Sequence, residues 1–543
     1  MKRRSFLQNT SIAGAGLTFS KQFHIAYPVQ DSRIEVFVDD PIGRIAPEIY
    51  GHFSEHIGGV IYDGIWVGPD SKIPNTEGFR QDIIDHMRQI NPGNLRWPGG
   101  CFADSYNWKD GIGPRASRPR RANFWINTPF LKKAPDGPSK YEPNHFGTDE
   151  FLRFCELIET SPYLAANART LPAQDMIDWI EYCNAPPGTT TYGDMRVANG
   201  KKEPYNVAFW GVGNESWGCG GDMTPEHYAN LFRQFTSFIP EFDTELKLVA
   251  VGPSDNYHTR DLNWTRRLFT KLAEPSNTWT YIPDRIAGYS LHFYCGTTGT
   301  SSIDFSDEDW YELIWRSDQM EKVITEHWEA LGAFDLDRRI KLYIDEWGAW
   351  HAQKTEVHNT HLFGQTSTMR DAMIAALSLD TFNRHADKVA VANIAQLVNN
   401  LQSLFLAHED RFVVTPNFYV FDMYKQHQNK QSLRTKFSSP YSSNIKSLWG
   451  LQGSASIEGK QLFLTAVNPS ITETRETEII IHGAKIKSGR VTTFQDNNIR
   501  NYNNLDNPSN IKLPQQSNLH VQNGTTVHLF KNASVTSMEI ELE

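Results

Sequence analysis

Two glutamates in this chain are placed where they could act together on a polar bond. Glu215 comes just after the apolar run Trp210–Val212, and Glu346 comes just after Tyr343–Ile344. They are far apart in the sequence, so only the fold can bring them together. Two carboxyl groups on either side of a glycosidic bond can hydrolyse it, one as the acid and one as nucleophile or base. Most glutamates are solvated surface charges instead, but the glycines around Glu215 leave little side chain to cover it.

Three further residues could complete such a site. Arg96 ends an apolar run, where it could form a structural ion pair or keep a neighbouring carboxylate ionised. His292 and Tyr294 alternate along one predicted strand, so both side chains can point to the same side. Packing in the core is the alternative for this pair. Asp345 precedes Glu346 and should point the opposite way, which favours a structural role.

Metal binding and a disulfide framework both have weak support. The sequence has no H-E-x-x-H or C-x-x-C motif, and the spacing of His52 and His56 is too common to indicate a metal site. The five cysteines are too few and too scattered for a disulfide scaffold. A free cysteine is more often buried as a small apolar residue than used as a ligand, and we expect the same of Cys101. Its pairing with Cys219 or with Cys295 stays open.

The elements that must position these residues repeat as a short apolar strand followed by a helical stretch. Helices are predicted at Phe79–Gln89 and at Asp149–Glu159, the second with Thr148 as N-cap. Eight strand–helix units favour a closed (β/α)₈ barrel, whose catalytic residues lie at the carboxyl ends of its strands. An open doubly wound sheet is the alternative, but the G-x-G-x-x-G motif after its first strand is missing. The predicted strands are Glu48–Phe53, Asn94–Trp97, Tyr163–Ala166, Val207–Val212, Leu246–Val251, Ile286–His292, Leu342–Ile344 and Val389–Ile394.

The last hundred or so residues have a different pattern, with short alternating runs separated by Asn, Gly, Ser and Pro. This pattern predicts an all-β, jelly-roll-like sandwich. Arg33–Val38 is one more predicted strand, expected to join that sandwich. The expected divisions are a signal and linker (1–30), an N-terminal strand (31–45), the catalytic barrel (46–432) and the sandwich (433–543). Predicted sandwich strands are Gln461–Val467, Thr477–Ile481, Arg490–Phe494, Thr526–Leu529 and Ser537–Leu542.

The N-terminus and the overall charge bear on location and partners. Arg3 and Arg4, followed by Ser-Phe-Leu-Gln and a weakly apolar stretch, resemble a bacterial twin-arginine signal. We therefore expect export to the periplasm or the exterior, with a disordered cytosolic tail as the alternative. No apolar run is long enough to predict a transmembrane helix. The net charge of −10 argues against a nucleic-acid or anionic-membrane partner.

Several stretches together resemble glycoside hydrolase family 51, the α-L-arabinofuranosidases. The resemblance spans essentially the whole predicted barrel, and the sandwich agrees in position and length more than in motif. Gly-Asn-Glu alone would indicate only a broader superfamily of such barrels. The matching stretches are Gly51–His56, Asn94–Ala103, Tyr106–Pro114, Phe146–Leu152, Val207–Met223, Tyr343–Trp350, Arg370–Ala376 and Ala390–Gln402.

The resemblance implies a retaining mechanism, with Glu215 as general acid/base, Glu346 as nucleophile and Asn214 on the 2-hydroxyl of the sugar. It also implies a (β/α)₈ barrel with a β-sandwich, no metal or organic cofactor, and often a hexamer. The substrate partner would be an arabinose-containing polysaccharide or oligosaccharide. Positions that would contact the arabinofuranose ring are Glu55, Cys101, Tyr294 and Gln396, and those that would support the two carboxylates are Arg96 and His292.

One loop departs from the family pattern. The family usually has Val-Gly-Ser-Gly-Thr after the Asn at the end of the third strand, whereas Asn167 is followed here by Ala168–Pro172, without glycine. We expect a different backbone path there. The sequence thus predicts a retaining, exo-acting α-L-arabinofuranosidase for arabinan, arabinoxylan or arabino-oligosaccharides. An endo-β-glucanase of the same family and a non-catalytic carbohydrate-binding protein are the alternatives.

Overall fold

The computed structural model describes residues 32–254, 261–275, 281–296, 301–352 and 357–543. Eight parallel strands, β2 to β9, form a closed barrel in which each pairs with the next along the chain and β9 pairs with β2. The strand β1, Arg33–Arg44, precedes them. The barrel strands are β2 Gly51–Phe53, β3 Asn94–Trp97, β4 Ser161–Ala166, β5 Phe209–Val212, β6 Lys247–Ala250, β7 Gly288–Tyr294, β8 Lys341–Gly348 and β9 Val389–Ile394.

Helices lie between the barrel strands. Thr148 is the first residue of its helix and not the N-cap as predicted, because the chain enters through Gly147, whose N–H donates to the side chain of Glu150. Helix α10 is buried over almost its whole length. The α-helices of the described residues are α1 Gln81–Ile90, α2 Pro129–Lys133, α3 Thr148–Ile158, α4 Ala173–Asn184, α5 Thr191–Ala198, α6 Pro225–Phe235, α7 Leu262–Ala273, α8 Asp307–Ser317, α9 Met320–Leu331, α10 Met369–Arg384 and α11 Pro416–Tyr424.

A nine-stranded sheet follows the barrel, after the hairpin of β10, Phe405–His408, and β11, Arg411–Val414. Its strand order is β17-β16-β19-β14-β13-β12-β1-β15-β18. β1 is antiparallel to β12 and parallel to β15, so the first described strand belongs to the C-terminal sheet. The remaining strands are β12 Gln431–Ser438, β13 Gln452–Glu458, β14 Gln461–Asn468, β15 Arg475–His482, β16 Ile486–Gln495, β17 Gln515–Asn518, β18 Thr526–Phe530 and β19 Ser534–Leu542.

Helix α10 also connects the barrel to the sheet. Its Asp380 carboxylate accepts hydrogen bonds from Ser454 Oγ (2.7 Å) and Thr465 Oγ1 (2.5 Å) of the sheet and from Tyr424 OH (3.0 Å) of α11. Burial raises the pKa of Asp380 to about 6. Because every donor here is buried, this network is a specific polar contact between the barrel and the sheet.

Side chains from five of the barrel strands fill the barrel interior and form a floor beneath its mouth. Tyr163, Phe209, Val249, Tyr343 and Val391 pack there as one buried apolar cluster. Such a layer is expected of an eight-stranded barrel, whose interior is just wide enough for side chains. Polar residues that follow the strands are therefore held above this floor, at the carboxyl ends of the strands.

The predicted fold class, a (β/α)₈ barrel with a C-terminal β-sheet domain, is confirmed. Strand bounds differ by a few residues: the predicted strand Glu48–Phe53 begins only at Gly51, because Pro47–Tyr50 form a 3₁₀ turn. Strands β12, β13 and β17 were not predicted, since small or polar residues weaken their alternation. Among the described residues, no helix is long and apolar enough to cross a membrane.

Candidate active site

Glu215 and Glu346 meet at the mouth of the barrel. Glu346 lies within β8, and Glu215 follows β5 in a turn that starts at Gly213. Both Gly213 (φ 86°) and Glu215 (φ 41°) have left-handed backbones, which is uncommon for a residue with a side chain and is found at functional sites. The two carboxylates and the ring of His292 each offer one atom such that all three atoms lie within 4.8 Å of one another.

Both oxygens of the Glu346 carboxylate have a buried partner. Arg96 Nη1 donates to Oε1 at 3.0 Å, and Tyr294 OH donates to Oε2 at 2.9 Å. The guanidinium also lies 4.0 Å from the carboxylate of Asp345, to which Tyr163 OH donates at 2.7 Å. Burial opposes the charge of Arg96, but Asp345 and Glu346 together raise its pKa. Arg96 therefore balances the negative charge of Asp345 and Glu346 at the carboxyl end of β8.

His292 links the two glutamates. Its Nδ1 lies 2.9 Å from Glu215 Oε1 and 3.5 Å from Glu346 Oε2. Burial disfavours a charged imidazole, yet the charges of Glu346 and Glu215 raise the pKa of His292. A proton on Nδ1 is therefore favoured, and it is directed at the carboxylate of Glu215.

Asn214 is fixed from two directions. Its side-chain oxygen accepts from Arg96 Nη2, so its amide nitrogen is left to donate elsewhere. Its backbone N–H donates to Asp104 Oδ2 at 2.8 Å. Asp104 Oδ1 accepts from the N–H groups of Ala168 (2.8 Å) and Arg169 (3.1 Å), so the loop that departs from the family pattern is tied to Asn214 through one carboxylate. Burial raises the pKa of Asp104 to about 7.

Glu55 is a third carboxyl group at the mouth, and it is surrounded by donors. Oε1 accepts from Phe102 N (3.0 Å) and Trp125 Nε1 (3.1 Å), and Oε2 accepts from Gln396 Nε2 (3.2 Å). Burial raises the pKa of Glu55 to about 7 despite these bonds, and the charge of Glu346 adds to the rise. A Cβ on Gly100 would lie 3.2 Å from both Glu55 Oε2 and Glu346 Oε1, so glycine keeps the space between them open.

A disulfide joins Cys101, after β3, to Cys219, in the Glu215 turn. Of the two pairings that the sequence left open, this is the one formed, and Cys295 is a buried thiol. Cys101 is thus only half-buried, not the fully buried apolar residue that its type favours. Cys219 Sγ lies 3.4 Å from Glu215 Oε2, a van der Waals contact because a disulfide sulfur has no proton to donate. The bridge ties the Glu215 turn to the segment after β3.

A pocket opens above these groups, and six of the predicted site residues line it directly. The other three adjoin this lining: Arg96 contacts Glu346, His292 contacts Glu215, and Asn214 contacts Arg96. The aromatic walls were not predicted, because Trp125, Trp350 and Phe363 lie in loops outside the predicted strand ends. The lining residues are Phe53, Glu55, Ile57, Gly100, Cys101, Trp125, Glu215, Tyr294, Glu346, Trp350, Phe363, Gln396, Asn400 and Leu401.

Two family models match this chain. Residues 86–271 match the family model "Alpha-L-arabinofuranosidase 1 domain", and residues 345–534 match "Alpha-L-arabinofuranosidase C-terminal domain". An intracellular exo-α-L-arabinofuranosidase of Bacteroides ovatus is 33% identical over 99% of this chain and 100% of its own length. This chain belongs to glycoside hydrolase family 51, the α-L-arabinofuranosidases. It is therefore a glycoside hydrolase.

Solved structures of the family share the fold. The family 51 arabinofuranosidase of Xanthomonas axonopodis pv. citri superposes with a TM-score of 0.86, at 31% identity, over 94% of this chain and 100% of that one. Another relative, the intracellular exo-α-(1→5)-L-arabinofuranosidase of Acetivibrio thermocellus, is 30% identical over 68% of this chain and 71% of its own. The resemblance inferred from the sequence is confirmed.

The prediction of export to the periplasm or the exterior is wrong. The family 51 relatives from Bacteroides ovatus and Acetivibrio thermocellus are both named intracellular enzymes. The basic and weakly apolar segment that prompted the prediction, residues 1–30, lies outside the described residues. A twin-arginine pair followed by a short apolar stretch is a weak pattern, which chance can produce at a basic N-terminus.

We expect the Glu55→Gln variant to lose part of the pH dependence of stability. Glu55 has a folded pKa of about 7 against an ordinary 4.5, so folding favours its protonated form. Its contribution is fully present below pH 4.5 and is lost as the pH rises to about 7, by on the order of 3 kcal/mol. Urea unfolding at both ends of this pH range should therefore show that the free energy of unfolding falls less for the variant than for the wild type.

Burial also raises the pKa of Asp104, so Asp104 changes the free energy of unfolding with pH in the same direction. Because both the wild type and the Glu55→Gln variant contain Asp104, its contribution cancels in the comparison. The exposed Glu241→Gln serves as the matched control and should keep the wild-type slope. An unchanged slope in Glu55→Gln would contradict the raised pKa.

Proposed function

We propose that this chain is a retaining, exo-acting α-L-arabinofuranosidase in which Glu346 is the nucleophile and Glu215 the general acid/base. One observation carries the proposal: an oxygen of each carboxylate lies within 4.8 Å of the other. Retaining glycosidases place the two groups about 5–5.5 Å apart, whereas inverting enzymes need roughly 6.5–9.5 Å to admit a water. The short separation supports the retaining mechanism.

In the first step, a Glu346 oxygen attacks the anomeric carbon while Glu215 gives its proton to the leaving oxygen. The bond to the leaving group breaks and a glycosyl ester forms on Glu346. In the second step, Glu215 takes a proton from a water whose oxygen attacks the same carbon. The ester bond breaks, arabinose leaves, and both glutamates return to their starting states.

The partners of each glutamate favour this assignment over the reverse one. Glu346 is ion-paired to Arg96 and held at both oxygens, which suits a group that must be ionised and aimed at one carbon. The carboxylate of Glu215 has only the ring of His292 as a hydrogen-bond partner among the described residues, and the Glu215 side chain is 17% exposed against 7% for that of Glu346. A group that exchanges protons with a leaving group and then with water needs that access.

The remaining pocket groups suit a small sugar. The carboxyl of Glu55 and the amides of Gln396 and Asn214 offer polar contacts for ring hydroxyls, and Asn214 lies next to Arg96 and Glu215. The aromatic faces of Trp125 and Trp350 can cover the apolar side of the ring. We assign the 2-hydroxyl to Asn214 Nδ2, where the contact would strengthen in the transition state.

Glu346→Gln should reduce turnover of p-nitrophenyl α-L-arabinofuranoside by about 10⁴-fold or more, since no acceptable nucleophile replaces the carboxylate. Glu215→Gln should reduce turnover of arabino-oligosaccharides by about 10²–10⁴-fold. Hydrolysis of the aryl glycoside should fall less, because its leaving group departs as p-nitrophenolate and needs no proton. Steady-state kcat on both substrates measures the difference, with Glu241→Gln as the control. Equal losses on both substrates for Glu215→Gln, or a nearly normal rate for Glu346→Gln, would overturn the assignment.

Exo-action and the choice of polymer can be tested by the products. We expect arabinose alone from linear α-1,5-arabino-oligosaccharides, with each chain shortened one residue at a time, as an exo-acting enzyme requires. The names of the exo-acting relatives support the same choice. Chromatography of products at early times measures it, with arabinoxylan and β-glucan in parallel. Oligosaccharides as first products, or cleavage of β-glucan in preference, would favour the endo-glucanase alternative.

A further inference from the structure

Three histidines come together outside the active site. His358 and His361 belong to the segment between β8 and α10, and His408 ends β10. One nitrogen from each ring can be chosen so that all three lie within 4.8 Å of one another. The rings of His358 and His408 are stacked with their centres 3.7 Å apart. Imidazoles from two separate segments of the chain are thus concentrated at one point.

Asp63, from the segment between β2 and α1, orients two of these rings. Its Oδ2 lies 2.6 Å from His408 Nδ1 and 3.3 Å from His361 Nε2. Its backbone has φ 74°, and its Oδ1 accepts from Glu409 N at 2.7 Å, so the carboxylate is held firmly in place. Hydrogen bonds from both histidines help to lower the pKa of Asp63 to about 2, against the effect of burial. An ionised carboxylate only accepts, so it places a proton on each nitrogen that faces it.

Each ring has one nitrogen engaged and one available. His358 Nδ1 lies 2.8 Å from Thr360 Oγ1, while His361 and His408 face Asp63. Within the described residues, the second nitrogen of each ring has no hydrogen-bond partner. The case of His361 is the sharpest, because this residue is only 2% exposed and its Nδ1 is fully buried. Buried polar atoms are nearly always paired, so an unpaired imidazole nitrogen here needs an explanation.

We propose that His358, His361 and His408 bind one divalent transition-metal ion, zinc in particular, with Asp63 as the carboxylate that orients two of the ligands. Neutral imidazole is a preferred zinc ligand, and metal-bound histidines commonly give their other N–H to a carboxylate. Ligand atoms at about 2.0–2.1 Å from a tetrahedral zinc lie roughly 3.3 Å apart. The rings must therefore turn about their side-chain torsions for one nitrogen of each, now within 4.8 Å of the others, to reach a common ion.

The carboxylate of Asp63 places a negative charge beside the rings of His361 and His408, and Arg80 Nη2 lies 3.9 Å from its other oxygen. The other two groups of possible ligands among the described residues are Cys101, Glu215 and Cys219, and Glu215, His292 and Glu346. The first contains the disulfide and the second is the proposed catalytic pair, so neither competes as a structural site.

The proposed ion would stabilise one wall of the active-site pocket. Phe363, which lines that pocket, lies two residues after His361 on the same segment. The ring of His361 also packs against Gly59, where a Cβ would come within 2.3 Å of it. Gly59 follows Glu55 in the segment that carries Asp63. A metal bound here would therefore join the loop after β2, the loop after β8 and the β10–β11 hairpin.

The test is metal binding to the full-length protein after removal of any affinity tag and treatment with a chelator. Calorimetric titration with Zn²⁺ should give one site per chain, and Co²⁺ should give the intense visible absorption of a tetrahedral complex. Zinc should also raise the unfolding temperature, because it binds only the folded chain. His408→Gln and His358→Gln should each weaken zinc binding by about 100-fold or more, and Asp63→Asn by about 10–100-fold.

His482→Gln is the matched control, since His482 lies on the exposed face of the sheet beside Glu35. It should bind zinc like the wild type. The cluster variants are chosen at half-exposed residues so that they fold, which their circular dichroism checks. No zinc bound by the wild type, or equal zinc binding by the wild type and the three cluster variants, would overturn the proposal and leave a hydrogen-bonded histidine cluster.

Discussion

The need to hold several carboxyl groups together in a buried barrel mouth governs the rest of the site. Glu55, Glu346 and Asp345 are all buried, and Glu215 is next to them. Like charges at such separations cannot all be ionised without a counter-charge. Arg96 supplies it from the end of β3, with His292 from β7 as the second basic group. Removing the guanidinium would leave buried negative charge uncompensated, which is among the most costly changes a core can suffer.

This constraint explains why the glutamates differ in their surroundings. On β8, the carboxylate of Glu346 accepts hydrogen bonds from Arg96 and Tyr294, so it is held rigidly. The turn after β5 has a left-handed residue and a disulfide, so that Glu215 is positioned by its backbone more than by side-chain partners. The different roles that we propose for the two side chains thus follow from the element that carries each. The same separation of environments is common in pairs of catalytic carboxyl groups.

Much of the barrel and the meeting of Glu215 and Glu346 could be predicted from the sequence, because parallel strands have short apolar runs and their carboxyl ends meet on one face. His292 and Tyr294 followed from alternation along β7. Residues in loops could not be predicted in this way: Trp125 and Phe363 reach the pocket only through tertiary packing, and the disulfide pairs cysteines 118 residues apart. Asp104 gives no local signal, since its partners are backbone N–H groups of two distant loops.

The histidine cluster was missed for a related reason, because its ligands come from separate segments with no spacing motif. It lies in the loops that carry the pocket wall, so its proposed ion would affect the shape of the pocket and leave the reaction itself to the glutamates. The catalytic proposal and the metal proposal are therefore independent in their chemistry.

The most direct test of the catalytic account is the anomeric configuration of the first product. Proton NMR of p-nitrophenyl α-L-arabinofuranoside hydrolysed in the presence of methanol would show which methyl arabinofuranoside forms before any equilibration. Double displacement through a glycosyl ester on Glu346 predicts the methyl α-L-arabinofuranoside, with retention. The β-anomer as first product would mean that the acceptor attacks the sugar directly. That result would contradict the account, even though an oxygen of Glu215 and an oxygen of Glu346 lie within 4.8 Å of each other.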